Sequence, residues 1–406
     1  MRRLVDLDGS GDPSGADHSI VGDKAARLTR ARDLGLPVLP GRVVQVREAE
    51  EPLRRGVAAL GLGASGAARL AVMEQVLDPG LAEELEEALV ELGTPVVVRS
   101  SSPLEAGGAW AGAFSSFHDV GPTDVVVAVR GCWASAFSVD VLGRAEAMGV
   151  PVGSIGLAVL IQRQVHPTAG GTAAVAPDGV VAVETVRGSP AALVAGWERG
   201  TRTQVGPDGS VVPPGGGPAL LEPAGLSWPS MLTEVAEVLR RLRAGTGDDL
   251  IEWALTEEGV VLLQAGRSAR TGGGGQGELP DGLAEEEPVA RRSVRGTAAA
   301  PGIGAGPAVV VLDPHAPGIR PAGRGYVVVA ASPLPALAPL LWRASALVTA
   351  TGGPGAHLVG VARSLRVPAV VSAPVEDLLG PLAGGERSSH VLVVDGGTGL
   401  VSAVQA

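Results

Sequence analysis

Lys24 is the only lysine in a chain whose 32 basic residues are otherwise all arginine. An ammonium is a compact point charge that fits between phosphate oxygens where a planar guanidinium does not. A position that keeps lysine in so arginine-rich a chain is therefore a candidate for phosphate contact. It sits in Gly22-Asp23-Lys24-Ala25, at the start of a stretch that reads as a helix ended by Gly35. The first turn of a helix offers N–H groups and the positive end of its dipole to an anion. Arg99 closes the run Pro95-Val96-Val97-Val98-Arg99, read as a short buried strand, and the small residues from Ser100 to Phe114 form a loop able to bring backbone N–H groups to a ligand.

Two further positions come from register arithmetic. The apolar runs on either side of Glu257-Glu258-Gly259 read as a hairpin, with Gly259 suited to a left-handed turn position. Pairing Thr256 with Val260 sets Glu252 opposite Gln264, so both side chains emerge on one face. A carboxylate and a carbonyl oxygen side by side suit a hard cation such as Mg²⁺; a solvent-facing polar pair on an edge hairpin is the alternative. His357 follows the strand-like ALVTA and the glycine-rich TGGPGA, and opens a helical stretch, HLVGVARSLRV. An imidazole at such a helix start can carry a phosphoryl group whose charge the backbone stabilises. His18, His118, His166, His315 and His390 have no comparable setting and are expected to be surface or capping residues. No acid or second nucleophile adjoins His357, which speaks against a Ser/His/Asp hydrolase.

These residues need a scaffold of more than one domain. The 406 residues, 45% apolar and 18% charged, exceed the roughly 150 of a typical domain and rule out wholesale disorder despite 60 Gly and 32 Pro. Residues 1–270 alternate helical and strand-like segments in α/β and α+β fashion. Residues 271–292 are Gly- and acid-rich without apolar periodicity, a flexible linker of roughly 22 residues spanning about 25 Å as a coil. Residues 293–406 carry short β runs separated by turns and at least one helix. A net charge of −11 and ten aromatic residues disfavour nucleic-acid binding. No apolar run nears the roughly 18 residues of a membrane helix, and the N-terminus lacks a signal-like apolar core. Cys132 stands alone, which excludes an internal disulfide, and a cytoplasmic protein is expected.

Several segments, in order, resemble the phosphoenolpyruvate synthase and pyruvate phosphate dikinase family, which includes rifampin phosphotransferases. GDKAARLTRARDLGLPVLPGRVV is similar to its N-terminal nucleotide motif, VVVRSSSPLEAGGAWAGAF and VRGCWASAFS to its phosphate-loop region, and LAVLIQRQV to its adenine-side strand. IEWAL with LLQAGR is similar to its metal-binding hairpin, and GTAAAPGIGAGPAVVV with ALVTATGGPGAHLVGVARSLRVPAVV to its phosphohistidine domain. The resemblance implies an ATP-grasp-type nucleotide-binding domain followed by a swivelling β/β/α phosphohistidine domain. It implies that Lys24, Arg99 and Arg267 bind ATP phosphates, Gln162 and Val165 lie near the adenine, Glu252 and Gln264 bind Mg²⁺, and His357 takes a phosphoryl group from ATP with release of AMP.

The chain departs from that pattern in four places. Asp23 replaces a glycine and would put a carboxylate beside the triphosphate. Gly266-Arg267 displaces the family arginine by one residue, toward the opposite face unless Gly266 forms a bulge. Ala356 replaces a small polar residue, and no acceptor domain separates the two units. The expected function is phosphoryl transfer to a small molecule or to a substrate on a separate acceptor-domain protein. The alternatives are a nucleotide-binding regulatory subunit, one half of a split synthase, and γ-phosphate transfer that leaves ADP.

Overall fold

Gly22 decides how the first helix is built. The helix α1 (His18–Asp33) is capped by Asp17, whose side chain accepts from Ser19 N at 2.8 Å, but Gly22 interrupts it with φ 75° and ψ 166°. A Cβ there would lie 2.2 Å from the Ser101 carbonyl oxygen, so both the left-handed backbone and the close approach demand glycine. The helix thus starts at His18 rather than Gly22, and Lys24 lies in the first turn after the break. At the far end Gly35, at φ 67°, lets Leu36 N reach back to Ala31 O at 3.1 Å, a glycine-dependent helix stop.

The computed structural model describes residues 2–7, 17–61, 65–107, 110, 112–194, 198, 200–212, 228–267, 292–312, 325–379 and 387–405. The chain divides into two units, Met1–Pro190 with Thr201–Ser268, and Ala191–Gly200 with Ala269–Ala406. Of the segment 271–292, read as a linker, residues 271–291 lie outside the described residues, and Arg292 already belongs to a strand. No single helix among the described residues is long and apolar enough to cross a membrane.

The first unit holds two antiparallel sheets. One runs β1-β2-β5-β3-β4, from β1 (Leu4–Asp6), β2 (Gly41–Val44), β3 (Val96–Ser101), β4 (Ser116–Val120) and β5 (Ala158–Arg163). Alternation along its strands separates two cores. Val96, Val98, Val159 and Ile161 pack against Leu85, Val129 and Trp133 from helices on one side. Ala158 and Leu160 face α1 and the second sheet on the other. Arg99 and Gln162 share this second face, because Val97 pairs with Gln162 and Arg99 with Leu160. The strand does not end at Arg99; it continues through Ser101.

The second sheet runs β11-β10-β6-β7-β8-β9, from β6 (Ala169–Val175), β7 (Val181–Arg187), β8 (Thr201–Val205), β9 (Val211–Val212), β10 (Leu250–Thr256) and β11 (Gly259–Gly266). The helix Trp228–Thr246 seals it with Val235, Leu239 and Leu242. The β10–β11 turn is one residue tighter than the register arithmetic assumes. Thr256 pairs with Gly259 and Trp253 with Leu262; a bulge then takes up Leu263, and Glu252 still faces Gln264.

The second unit is one eight-stranded sheet in the order β12-β19-β18-β14-β15-β16-β17-β13. Its strands are β12 (Arg292–Arg295), β13 (Thr297–Ala300), β14 (Ile303–Val311), β15 (Tyr326–Ala330), β16 (Ala344–Thr349), β17 (Ala369–Val371), β18 (Arg387–Asp395) and β19 (Leu400–Gln405). β14 to β17 are parallel neighbours, and their Val-rich stretches are buried on both faces, as parallel strands must be. The helix His357–Ser364 covers one face with Leu358, Val359, Val361 and Ala362.

Candidate functional site

Three elements meet around β3. The break at Gly22 sets α1 directly on Ser101 and Ser102, where Asp23 N bonds Ser102 O at 3.1 Å and Ala25 N bonds Ser101 Oγ at 3.1 Å. Lys24 is thereby aimed along β3. Its Nζ donates to Ser100 O at 2.8 Å and pairs with Glu105 Oε1 at 3.3 Å, with only 10% of the side chain exposed. Glu105, on a short turn after β3, also accepts from Ser102 N at 2.9 Å. Sequence reading passed over Glu105, though a charged residue inside an otherwise small-residue loop was the available signal.

Arg99 reaches from β3 to the hairpin. It donates to Leu263 O at 2.7 Å and Gln264 Oε1 at 2.9 Å, and Glu252 Oε2 stands 4.0 Å away. The bulge supplies the first of these contacts, since the extra residue Leu263 turns its carbonyl out of the β10–β11 ladder. Burial lowers the guanidinium's pKa, while the carboxylates of Glu252 and Glu105 oppose that shift. Arg99, Glu252 and Gln264 are thus brought together, and Glu105 links them electrostatically to Lys24. The paired oxygens of Glu252 and Gln264 are hard donors that already hold a cation, the guanidinium, so the donor set fits a hard metal ion. Among the described residues no group of three or more His, Cys, Asp or Glu side chains converges on a metal position.

Gln162 is buried and donates to Leu39 O at 3.0 Å. Leu39 also belongs to a small apolar cluster with Ala254, Val261, Val165 and Leu263. An apolar patch therefore runs into the bulge carbonyl that Arg99 holds.

The departures Asp23 and Arg267 are resolved together. Asp23 is buried against Arg27 Nε at 2.5 Å instead of standing free, Arg27 bonds Asp248, and Asp248 accepts from Arg267 Nε at 3.1 Å. Arg267 also donates to Thr246 O at 2.6 Å. The pairing Leu250 with Gly266 is regular, so Gly266 forms no bulge and Arg267 leaves the strand toward Asp248. The structure does not bring Arg267 onto Lys24, Arg99, Glu252 or Gln264.

His118, expected at the surface, is exposed on β4, two residues from the Ser116 that pairs with Arg99. Partial loss of water around the ring and the Arg99 charge both hold its pKa below the usual value. Cys132 is buried, and burial pushes its thiol up to about 12, which removes it from nucleophilic chemistry.

In the second unit His357 is the first residue of its helix, after Ala356, whose side chain makes no capping hydrogen bond. The side chain of His357 lies outside the described residues. The loop before it is pinned by hydroxyl groups and by one arginine. Ser372 Oγ donates to Gly352 O at 2.8 Å, Ser332 and Thr351 hydroxyls meet at 2.8 Å, and Thr349 Oγ1 donates to Thr351 O at 2.6 Å. Arg363 spans Pro354 O at 2.6 Å and Ala299 O at 2.8 Å, tying the loop to β13. Gly352, at φ 102°, lies where a Cβ would sit 2.4 Å from Pro333 Cγ.

Fold and site together define a chain of two modules, one presenting cations and oxygen donors, the other a histidine at a helix start. Residues 18–214 match the model of the AMP/ATP-binding domain of pyruvate phosphate dikinase, and residues 322–399 match that of the mobile domain of PEP-utilising enzymes. The chain belongs to the phosphoenolpyruvate synthase and pyruvate phosphate dikinase family. Lys24, Arg99, Gln162 and Val165 fall in the first matched stretch and His357 in the second; Glu252, Gln264 and Arg267 lie between them.

The probable phosphoenolpyruvate synthase of Pyrococcus horikoshii is 27% identical over 365 residues, covering 79% of this chain and 43% of the relative. The phosphoenolpyruvate synthase of Pyrococcus furiosus is 26% identical over 364 residues with the same coverage, and that of Aeropyrum pernix 26% over 478 residues, covering 95% and 56%. The chain spans about half the length of these curated relatives. Among solved structures, D-alanyl-alanine synthetase A from Vibrio cholerae overlaps 63% of this chain and 56% of its own at 12% identity and a TM-score of 0.30, too low to bear on the fold.

Proposed function

We propose that the chain is an ATP-dependent phosphotransferase of the dikinase type, with an ATP-grasp-type first unit and a swivelling second unit. An imidazole nitrogen of His357 attacks the β-phosphorus of ATP. The bond from that phosphorus to the α–β bridging oxygen breaks, and AMP leaves with the oxygen. Water then attacks the γ-phosphorus and inorganic phosphate leaves, the β–γ bridging oxygen staying on the histidine-bound group; that phosphoryl group passes to a small-molecule acceptor, or to a substrate held by a separate acceptor-domain protein. The observation that carries this reading is the meeting of Arg99 with Glu252 and with Gln264, the latter 165 residues away in sequence, next to Lys24 and Glu105.

Lys24 and Arg99 supply the charge that phosphate oxygens need, at a partly buried position where such contacts are stronger than in open water. Val165 and the neighbouring apolar side chains take the adenine side, with Gln162 behind them holding Leu39. Glu252 and Gln264 would hold Mg²⁺, which when bound neutralises charge between phosphate oxygens. Cytoplasmic residence suits an ATP-using protein with one buried free cysteine.

The test is incubation with Mg²⁺ and ATP labelled separately at the β and γ positions. Acid-labile β-label on the protein with AMP formation, both absent from His357→Ala, is the expected result. A second reading, a nucleotide-binding regulatory subunit, draws support from Arg267 being held on Asp248. It expects bound ATP with neither label nor AMP.

A further inference from the structure

Arg99 stands where a metal would bind. Its guanidinium bonds Gln264 Oε1 at 2.9 Å and approaches Glu252 Oε2 to 4.0 Å, the two oxygens that the hairpin register sets side by side. Leu263 O, at 2.7 Å, completes a three-oxygen cradle from a single hairpin. A divalent ion sharing these oxygens would face a positive charge only a few ångströms away, a repulsion several times thermal energy in a partly buried setting. Gln264 Oε1 retains a second lone pair, so the obstacle is charge rather than a lack of acceptors.

We infer that Arg99 serves as the resident cation of the Glu252–Gln264 pair, and that a nucleotide phosphate must draw it away before a divalent metal can bind there. The inference rests on the proposed nucleotide reading for what withdraws Arg99, but the occupancy of the oxygens is independent of it. A phosphate group offers the guanidinium a two-pronged, fully charged partner in place of an amide oxygen, a carbonyl and a distant carboxylate. Once Arg99 turns to phosphate, the hairpin oxygens regain their negative potential. Binding is then ordered, nucleotide before metal, and by linkage the metal tightens nucleotide binding by the same factor. Glu105, ion-paired with Lys24, also favours the charge on Arg99 electrostatically in the meantime.

The experiment measures Mn²⁺ binding to the full chain by the electron-paramagnetic signal of free Mn²⁺ and by water-proton relaxation. Wild type is compared with Arg99→Gln, each with and without β,γ-imido-ATP, and nucleotide binding is followed separately by calorimetry. Without nucleotide, Arg99→Gln is expected to bind Mn²⁺ at least tenfold more tightly than wild type, and adding Glu252→Gln removes that gain. With nucleotide, wild type is expected to reach or exceed the variant. Equal Mn²⁺ affinity of wild type and Arg99→Gln without nucleotide would overturn the inference. If Arg99→Gln gains Mn²⁺ but wild type binds no nucleotide, resident-cation blocking stands and it is the nucleotide reading that fails. Should Arg99→Gln not fold, Arg99→Lys keeps a charge on β3 while losing the two-pronged hold. It is expected to show a smaller gain, and no gain at all counts against the inference.

Discussion

The two candidate sites are held by different kinds of force. Around β3 these cations are paired: Lys24 with Glu105 and the Ser100 carbonyl, Arg99 with the bulged hairpin, and Arg27 and Arg267 with the Asp248 carboxylate they share. The loop before His357 is instead held by hydroxyls, glycine conformation and carbonyls gripped by Arg363. In the first site a ligand must exchange partners, so affinity is a difference between two sets of charged contacts. In the second the backbone is already placed, and function depends on position. Substitutions in the first should therefore change affinity or stability, while those in the second should abolish chemistry without touching nucleotide binding.

Replacing His357 by Ala is the largest break. It should remove all acid-labile label while leaving the nucleotide dissociation constant within about twofold, read by calorimetry, since Lys24 and Arg99 belong to the other unit. Nucleotide affinity that falls along with the label would blur the contrast between the sites.

Asp248→Asn comes next. It strips the shared carboxylate from two arginines, one of them buried, and should cost about 3 kcal/mol in denaturant unfolding. The triple change Asp23→Leu, Arg27→Leu and Asp248→Leu, which leaves no buried charge of the set stranded, should recover much of that loss, as apolar replacement of a whole buried ionic group commonly does. A cost no larger for the single change than for the triple would mean that the chain Asp23–Arg27–Asp248–Arg267 is not a linked unit.

Gly352→Ala forces a side chain into a left-handed position against Pro333, and should cost about 2 kcal/mol of stability. Histidine labelling should slow more than tenfold while nucleotide affinity is unchanged. Normal labelling would show that the loop tolerates displacement and that position matters less there than argued.

Lys24→Arg is the smallest effect expected and the sharpest on geometry. The ammonium fits between Ser100 O and Glu105, and a longer planar cation does not, so nucleotide affinity should fall about tenfold, or about 1.4 kcal/mol. The melting temperature should move by only a few degrees. Unchanged affinity would return Lys24 to an ordinary buried ion pair.

What the sequence by itself determined follows from short-range physics. The β3 and β5 strands, the hairpin bearing Glu252 and Gln264, the stop at Gly35 and the helix opening at His357 are all set by apolar period and turn residues a few positions apart. Even the Glu252–Gln264 pairing was legible, although the turn proved one residue tighter and the bulge at Leu263 restored the register. That bulge, and the carbonyl it hands to Arg99, follow from packing of the hairpin on β3 and could not be counted from spacing.

Only the tertiary structure decided which charges neutralise which. Sequence position alone puts the Asp23 carboxylate beside the phosphates, yet it is buried on Arg27, which in turn meets Asp248 221 residues away. Arg267 had a role implied by resemblance and has a partner assigned by that same carboxylate. Helix and strand choice is local and leaves its pattern in the neighbouring residues. Partner choice among charged side chains depends on desolvation and on distances through space, and those exist only once the chain has folded.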